Sequence, residues 1–200
     1  MKTHTKEFQQ NLTPQQALDV LKEGNQRFVG SLKMQRNLLD LVQETSSGQY
    51  PFAAVLSCID SRVPAEVVFD QGIGDLFSVR VAGNIVNEDI LGSIEYACGV
   101  AGSKIVVVMG HTKCGAVTAA CQKVEMGNIT ALLSKIKPAI STVEANKGSV
   151  EVEEVTIANI KQSITEIKAK STILSDLEKE GKIIIVGAVY NVDNGQIDFL

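Results

Sequence analysis

The sequence lacks the features that direct a protein to nucleic acid or to a membrane. It carries 19 lysines and arginines against 23 aspartates and glutamates, a formal net charge of −4, and the basic residues are scattered. That distribution argues against a nucleic-acid partner. No apolar run approaches membrane-spanning length, and the opening residues MKTHTKEFQQ contain no apolar signal segment. We therefore expect a cytoplasmic protein with no membrane partner.

Histidine and cysteine are scarce, which narrows the possible chemistry. There are two histidines, and His4 falls in an expected loose tail, so His111 is the histidine left for a folded site. No two of the four cysteines have Cys-x-x-Cys spacing, so a thiol redox protein ranks last. In a reducing compartment, cysteines are more often buried, catalytic or metal-binding than disulfide-bonded. Buried packing is the expected role of Cys98 and Cys121.

No internal repeat or low-complexity linker divides the chain. Its composition of 44% apolar and 21% charged residues is typical of a globular protein, and its length of 200 residues suits one α/β domain. We predict a single domain over residues 1–200, with an N-terminal helical arm at 1–48 and an α/β core at 49–200.

Short continuous apolar runs predict a mainly parallel sheet. Such runs are typical of parallel strands buried on both faces, and here they alternate with helical patterns. After a hairpin-type turn, the last run suits an antiparallel edge strand. We predict an α/β fold with four parallel strands, an antiparallel edge strand and helices on the faces of the sheet. The predicted strands are 52–56, 76–81, 104–109, 183–189 and 196–200.

The N-terminal arm contains one clear helix start. The segment Thr13-Pro-Gln-Gln16 predicts a helix with Thr13 as N-cap and Gln16 closing a capping box. Residues 1–12 carry little pattern. The sequence leaves open whether the N-terminal helices pack on their own sheet or on a neighbouring subunit.

The second half of the chain is less regular. Pro138 interrupts an otherwise helical pattern in residues 126–152. From Val155 onward, isoleucines and leucines at helical spacing predict one long amphipathic helix that ends at Gly181.

Three potential ligands for a soft metal follow two of the predicted strands. Cys58 directly follows one strand, and His111 follows another after Gly110, which we interpret as a turn. Cys114 begins a helix, which favours its thiolate form, and shares a face with His111 if the intervening turn is helical. The carboxyl ends of parallel strands meet at one edge of an open sheet. Two thiolates and an imidazole suit zinc and leave one position for an activated water.

Each motif also has a plainer interpretation. An isolated His-x-x-Cys could be a buried cysteine beside a satisfied histidine. In the segment Cys-x-Asp-x-Arg, Asp60 and Arg62 could form a structural ion pair. A site is favoured because both motifs occur at strand ends and include the one histidine outside the expected tail.

Four segments together resemble the β-class carbonic anhydrases. They are CIDSRVPAE, DQGIGDLFSVRVAGN, SIEYA and GHTKCG, and the strong part of the match covers about residues 49–120. The order of Cys-x-Asp-x-Arg before His-x-x-Cys-Gly is specific to that family. The resemblance implies one zinc ion per chain, held by Cys58, His111 and Cys114. It also implies the reversible hydration of carbon dioxide to bicarbonate and a proton by zinc-bound hydroxide.

The resemblance implies roles for five neighbouring residues. In the family Asp60 pairs with Arg62, which keeps the carboxylate off the metal and free to orient the zinc-bound water. The substrate-binding glutamine, phenylalanine and tyrosine of the family fall on Gln49, Phe77 and Tyr96. Taken singly, Gln49 would be a loop residue and the two aromatics plain core. In the family these three groups face the zinc across a dimer interface, so a homodimer or homotetramer is implied.

Two departures from the family pattern bear on the site. Many relatives have Arg-Asn-x-Ala-Asn where this chain has Arg-Val-Ala-Gly-Asn at 80–84, which affects the local hydrogen bonding. A second subtype uses a tryptophan at the position of Val55 to form a noncatalytic bicarbonate pocket, and this chain has no tryptophan. We therefore expect the open-site subtype, without that inhibitory pocket.

Two other functions fit parts of the pattern. The same fold and metal could serve carbonyl sulfide or carbon disulfide, because the residues at the metal could be shared and the depth of the pocket would decide. A binding or regulatory protein could keep structural zinc without turnover, although Asp60, Arg62 and Gln49 argue against it.

Overall fold

The chain folds around a five-stranded sheet covered by helices on both faces. The computed structural model describes residues 4–200. Along the sheet the strands lie in the order β2-β1-β3-β4-β5, with the first four parallel and β5 antiparallel to β4. This arrangement confirms the predicted fold. The strands are β1 (Ala53–Ser57), β2 (Leu76–Arg80), β3 (Ile105–His111), β4 (Ile184–Tyr190) and β5 (Ile197–Phe199).

The helices fill the connections between these strands. Before the sheet come α1 (Lys6–Asn11), α2 (Pro14–Val29) and α3 (Leu38–Thr45). Within the sheet region come α4 (Ala65–Val68), a 3₁₀ turn (Ala82–Asn84), α5 (Glu88–Glu95) with a π-helical extension (Tyr96–Val100), and α6 (Gly115–Cys121). Then follow α7 (Gly127–Leu133), α8 (Lys137–Lys147), α9 (Val152–Lys170) and α10 (Thr172–Lys179). None of the helices in residues 4–200 combines the length and the apolar character needed to cross a bilayer.

Alternate side chains of the central strand serve two different cores. Ile105, Val107 and Met109 of β3 point to the face covered by α2 and α4. Val106 and Val108 point to the opposite face, covered by α5, α9 and α10. Successive side chains of a strand lie on opposite faces, so a strand buried on both must be apolar throughout. This is why β3 has the strongest strand pattern in the sequence.

A third cluster of buried side chains lies at the carboxyl edge of the sheet. It joins Cys58 and Cys114 to apolar residues of α6, α7, α8 and α9, including Val117 and Val155, and to Ile136 just before α8. The edge where parallel strands place functional groups is therefore backed by its own apolar layer.

The predicted start of α2 is confirmed, and this helix packs on its own sheet. The Thr13 side chain accepts from the Gln16 N–H, and the Gln16 side chain accepts from the Thr13 N–H. Ala17, Leu18 and Leu21 then join the core on that face. The division into an arm at 1–48 and a core at 49–200 stays a prediction, and the first three residues of that arm lie outside the described part of the chain.

The expectation of a loose, patternless tail is wrong for the described part of residues 1–12. This segment contains α1, and Gln9 of that helix is buried and donates to the carbonyl oxygens of Pro51 and Ala101 at 2.7 and 2.8 Å. His4 stacks on Phe8 with ring centroids 4.0 Å apart. Tertiary hydrogen bonds and ring packing hold a segment that has no helical periodicity of its own.

Two expectations for the second half of the chain are also wrong. The long helix from Val155 is two helices, because Ser171 between them adopts an extended conformation and its hydroxyl accepts from the Leu174 N–H as the N-cap of α10. Pro138 lies in the first turn of α8 rather than interrupting a helix. Proline is favoured in the first turn of a helix, where its missing N–H costs nothing.

Gly24 marks the closest approach of α2 to α4 and provides a test of this packing. A Cβ added at Gly24 would lie 1.8 Å from the carbonyl oxygen of Phe69. We expect Gly24→Ala to lower the free energy of unfolding by about 3 kcal/mol, because the backbone must move to admit the methyl group. Urea unfolding would measure the loss. Glu23→Ala, on the exposed side of the same helix, should change the value by less than about 0.5 kcal/mol. Equal effects of the two substitutions would contradict the close approach.

Candidate metal centre

Cys58, His111 and Cys114 converge at the carboxyl edge of the sheet. Their ligand atoms all lie within 4.8 Å of one another. Cys58 follows β1 directly, His111 is the last residue of β3, and Cys114 is the N-cap of α6. Their exposed fractions are 4%, 0% and 1%. Two adjacent parallel strands and one helix start thus place three metal-binding side chains in one buried cluster.

The imidazole of His111 presents one nitrogen to this cluster. Its Nδ1 lies 2.9 Å from the carbonyl oxygen of Thr112. A carbonyl oxygen only accepts, so Nδ1 carries the proton and Nε2 keeps its lone pair. Within residues 4–200, Nε2 is buried without a hydrogen-bond partner. A metal ligand of this kind characteristically has its other ring nitrogen fixed by a carbonyl or carboxylate.

The segment that joins His111 to Cys114 is not the helical turn that the sequence suggested. Gly110 lies inside β3, paired with Val189, so it is not a turn residue either. Lys113 has φ +56°, in the left-handed region, and its N–H donates to Glu153 Oε1 at 3.2 Å. A tight left-handed turn, rather than a helical face, therefore brings Cys114 back to His111.

The two thiols of the cluster differ sharply in acidity. The hydrogen bond from Cys114 lowers the pKa of Cys58 to about 4 against the cost of burial, and His111 and the Gly83 N–H act in the same direction. The Cys58 thiolate, together with burial, raises the pKa of Cys114 far above that of an ordinary thiol. Both sulfurs can be anionic together only when a cation lies beside them.

These observations test the cluster as a zinc site, and it fits. Zinc favours thiolate and imidazole ligands, and catalytic zinc sites use three protein ligands with a fourth position open. The cluster offers two sulfurs, one unpartnered imidazole nitrogen and an apolar surround. A divalent cation would remove both the repulsion between the thiolates and the unsatisfied Nε2.

Arg80 and Gly83 form hydrogen bonds to the Cys58 loop that were not predicted from the sequence. Arg80, at the end of β2, donates from Nε to the Cys58 carbonyl at 3.0 Å and from Nη2 to the Asp60 carbonyl at 2.6 Å. The Gly83 N–H donates to Cys58 Sγ at 3.4 Å. Both donors belong to the segment 80–84 that departs from the family pattern, so its replaced asparagine leaves these contacts in place. No local signal marks them, because donor and acceptor are twenty or more residues apart.

Asp60 and Arg62 form a two-pronged ion pair at the mouth of the cluster. Arg62 Nε donates to Asp60 Oδ1 at 2.9 Å and Nη2 donates to Oδ2 at 2.8 Å. The Arg62 guanidinium thereby holds the pKa of Asp60 well below its usual range. The Arg62 side chain is 49% exposed. Exposed ion pairs contribute little to folding stability, so stability is a weak reason for this geometry.

The carboxylate of this pair lies beside the metal-facing nitrogen. Asp60 Oδ2 is 3.9 Å from His111 Nε2. An acceptor at this position is within reach of any small group bound between the ligands and the mouth of the site.

The three predicted substrate-binding residues lie away from the metal ligands of their own chain. Phe77 pairs with Ala54 in the sheet. Ala54 lies four residues before Cys58, which places Phe77 about 13 Å from Cys58 along the strand direction. Tyr96 packs edge-on against Phe77 with ring centroids 6.2 Å apart, and Gln49 is exposed before the start of β1. Tyr96 is 54% exposed, so the plain-core interpretation is wrong for it.

The remaining cysteines take no part in the cluster. Cys98 is buried, and burial raises the pKa of its thiol to about 12, which fits the expected packing role. Cys121 is only half-buried.

Known proteins share both the sequence and the fold of this chain. The carbonic anhydrase family model matches residues 53–197. Carbonic anhydrase 2 of Mycobacterium tuberculosis is 35% identical over 192 residues, covering 93% of this chain and 92% of that protein. The crystal structure of a β-carbonic anhydrase of Aspergillus fumigatus superposes with a TM-score of 0.71 at 27% identity, covering 92% of this chain and 88% of that one.

A further structure shows the shared fold at lower identity. Crystal structures of two tetrameric β-carbonic anhydrases from Sordaria macrospora include a chain that superposes with a TM-score of 0.71 at 24% identity. That match covers 78% of this chain and 83% of that one. Together with the zinc-type cluster of Cys58, His111 and Cys114, these matches mean that the chain belongs to the β-class carbonic anhydrase family, whose members are zinc enzymes that interconvert carbon dioxide and bicarbonate.

Proposed function

We propose that this carbonic anhydrase works with an open site, in which the three buried side chains hold zinc and Asp60 stays off the metal. The single observation that carries the proposal is the engagement of both Asp60 oxygens by the Arg62 guanidinium. A carboxylate 3.9 Å from the metal-facing nitrogen would otherwise be a fourth ligand. Val55 at the position of the second subtype's tryptophan supports the same subtype.

Each residue of the site then has a separate task. Cys58, His111 and Cys114 hold the metal, which when bound supplies an activated water as nucleophile. Asp60 would accept a hydrogen bond from that water and so orient it toward the substrate. Arg62 holds Asp60 in the accepting position and keeps it ionised. The three ligands are at most 4% exposed, which limits the access of bulk water to the metal position.

The substrate pocket in this proposal is completed by a second copy of the chain. Gln49, Phe77 and Tyr96 lie too far from the cluster of their own chain to line it. The exposure of Tyr96, against the edge of Phe77, leaves an aromatic surface that a partner's site could use. An amide donor and an apolar wall suit a small linear molecule that becomes an anion. We propose a homodimer or a homotetramer, and tetramers occur in the related enzymes of Sordaria macrospora.

A cytoplasmic location belongs to the same proposal. All four cysteines are unpaired. Thiols that must stay reduced to bind a metal suit a reducing compartment.

Zinc content and turnover on one sample test the central assignment. We expect about one zinc per chain and stopped-flow carbon dioxide hydration near pH 8.5 that is lost when a chelator removes the metal and restored by zinc. Zinc without turnover at any alkaline pH would contradict carbon dioxide as substrate, and carbonyl sulfide and carbon disulfide would then be assayed. A folded sample without zinc would contradict the metal centre.

Arg62→Ala tests the ion pair. We expect kcat/KM to fall about 100-fold with zinc retained, because Asp60 loses the partner that holds its oxygens away from the metal. Arg62→Lys should recover only part of the activity, since an ammonium group cannot bind both oxygens in the same fork. Lys179→Ala removes an exposed ion pair far from the site and is the matched control. Near-normal turnover of Arg62→Ala would show that the pair is not needed.

Mixed dimers test whether substrate residues come from the partner. Cys58→Ser lacks a metal ligand but keeps Phe77 and Tyr96, whereas Tyr96→Ala keeps the metal ligands. Each variant alone should have low activity. Co-expression should restore about one quarter of wild-type activity, because random pairing makes half of the dimers mixed and gives each one complete site. If mixed dimers form, as purification through two different tags would show, and activity is not restored, the two sets of residues do not act across an interface.

A further inference from the structure

One face of α9 carries buried polar side chains that the reaction does not use. Thr156, Asn159 and Ser163 are exposed by 2%, 1% and 3%. Buried polar groups in folded proteins are almost always hydrogen-bonded, so the partners of these three show what they support. The Thr156 hydroxyl donates within its own helix, to the Val152 carbonyl at 3.0 Å.

The other two side chains leave the helix and hold the 3₁₀ turn after β2. Asn159 Nδ2 donates to the Gly83 carbonyl at 2.8 Å, and Ser163 Oγ donates to the Asn84 carbonyl at 3.2 Å. The partners are more than seventy residues apart in the chain. Two consecutive carbonyls of one turn are thus fixed by one helix.

Two residues of this turn lie in the left-handed region of the backbone. Gly83 has φ +67°, and a Cβ added there would lie 2.9 Å from Ile136 Cδ1, so the position requires glycine. Asn84 also has a left-handed φ of +43°. Glycine adopts this region without a steric penalty, whereas a non-glycine residue such as Asn84 needs support from its surroundings. The bonds from α9 supply it here.

The turn that α9 holds also contacts the metal ligand Cys58. The same Gly83 whose carbonyl is bound by Asn159 donates its N–H to Cys58 Sγ at 3.4 Å. A backbone N–H that donates to a thiolate forms a charge-assisted hydrogen bond and fixes the sulfur's orientation. Loss of a hydrogen bond to a metal ligand commonly lowers metal affinity by about 10- to 100-fold.

The helix also lies against the strand that carries the histidine ligand. A Cβ added to Gly110 would lie 2.8 Å from Ile160 Cδ1, and Ile160 is the neighbour of Asn159 in α9. Because Gly110 precedes His111 directly, a single helix face supports the backbone next to two of the three ligands.

We propose that Asn159 and Ser163 are positioning residues for the zinc ligand Cys58, acting through the turn at Gly83. Their bonds keep the Gly83 N–H aimed at the sulfur, which stabilises the thiolate and sets its direction toward the metal. Loss of either bond frees the turn and weakens the N–H contact. The role is separate from the ion pair of Asp60 and Arg62 and does not depend on the open form of the site.

Matched substitutions on α9 test this role by metal binding and spectroscopy. Asn159→Leu keeps the branched shape and the number of heavy atoms of the side chain and removes the donor. Thr156→Val likewise keeps the shape and removes a donor, at a position that does not touch the turn. Zinc affinity is measured by chelator competition. The environment of the sulfur is read from the thiolate-to-metal charge-transfer band of the cobalt-substituted protein. Thermal unfolding of both variants reports any general loss of stability.

We expect Asn159→Leu to weaken zinc binding at least about tenfold and to shift the charge-transfer band, with Thr156→Val unchanged in both. Unchanged affinity and an unchanged band in folded Asn159→Leu would overturn the proposal, even if its stability fell, because packing alone would then explain the residue. If Asn159→Leu does not fold, Ser163→Ala decides instead. It removes one hydroxyl and should still shift the band, and an unshifted band would overturn the proposal.

Discussion

Two buried sulfurs that cannot both be ionised without a cation are the constraint on which this structure depends. The pKa of Cys58 is lowered and that of Cys114 is raised, each because of the other. The imidazole beside them has a buried nitrogen with no partner among residues 4–200. An unsatisfied buried polar atom costs about 1–3 kcal/mol. A fold that keeps these groups together without a metal keeps an unfavourable arrangement, and bound zinc removes each of its costs.

The architecture around the cluster follows from that requirement. Ligands from β1, β3 and the start of α6 meet only because parallel strands end at the same edge. Lys113 lies in the left-handed region of the backbone, which a non-glycine residue rarely adopts without support from its surroundings. Polar side chains of α9 hold this turn and the turn at Gly83: Glu153 accepts from the Lys113 N–H, and Asn159 donates to the Gly83 carbonyl.

The parts that could be predicted from the sequence are those with a local cause. A strand buried on both faces must be continuously apolar, so β3 could be predicted. A capping box lies within four consecutive residues, so the start of α2 could be predicted as well. The ligands were found because Cys58 and His111 lie at strand ends and Cys114 follows three residues after His111, at the start of a helix. The helix α1 could not be predicted, because its Gln9 forms hydrogen bonds to Pro51 and Ala101, which are 42 and 92 residues away in the sequence.

The break between α9 and α10 at Ser171 also could not be predicted from local pattern. The apolar spacing continues through it, so periodicity alone joins α9 to α10, while the extended Ser171 is fixed by a bond from its hydroxyl to Glu95 at 2.5 Å. Arg80, which binds the carbonyls of the ligand loop, was missed for the same reason. Local pattern predicts elements and motifs, whereas the contacts that orient a ligand come from residues far along the chain.

The site consists of three buried metal ligands, whose positions are fixed, and a more exposed ion pair, whose position can adjust. The ligands are at most 4% exposed and are held by bonds from buried groups, so their geometry changes only if the core changes. The Asp60 side chain is 18% exposed and that of Arg62 49%, and their pairing is held by solvent-facing hydrogen bonds. Solvent screens such a pair, so a neighbouring subunit that covered it would strengthen it. In the proposed dimer, assembly would therefore complete the substrate pocket and also stabilise the ion pair that keeps Asp60 off the metal.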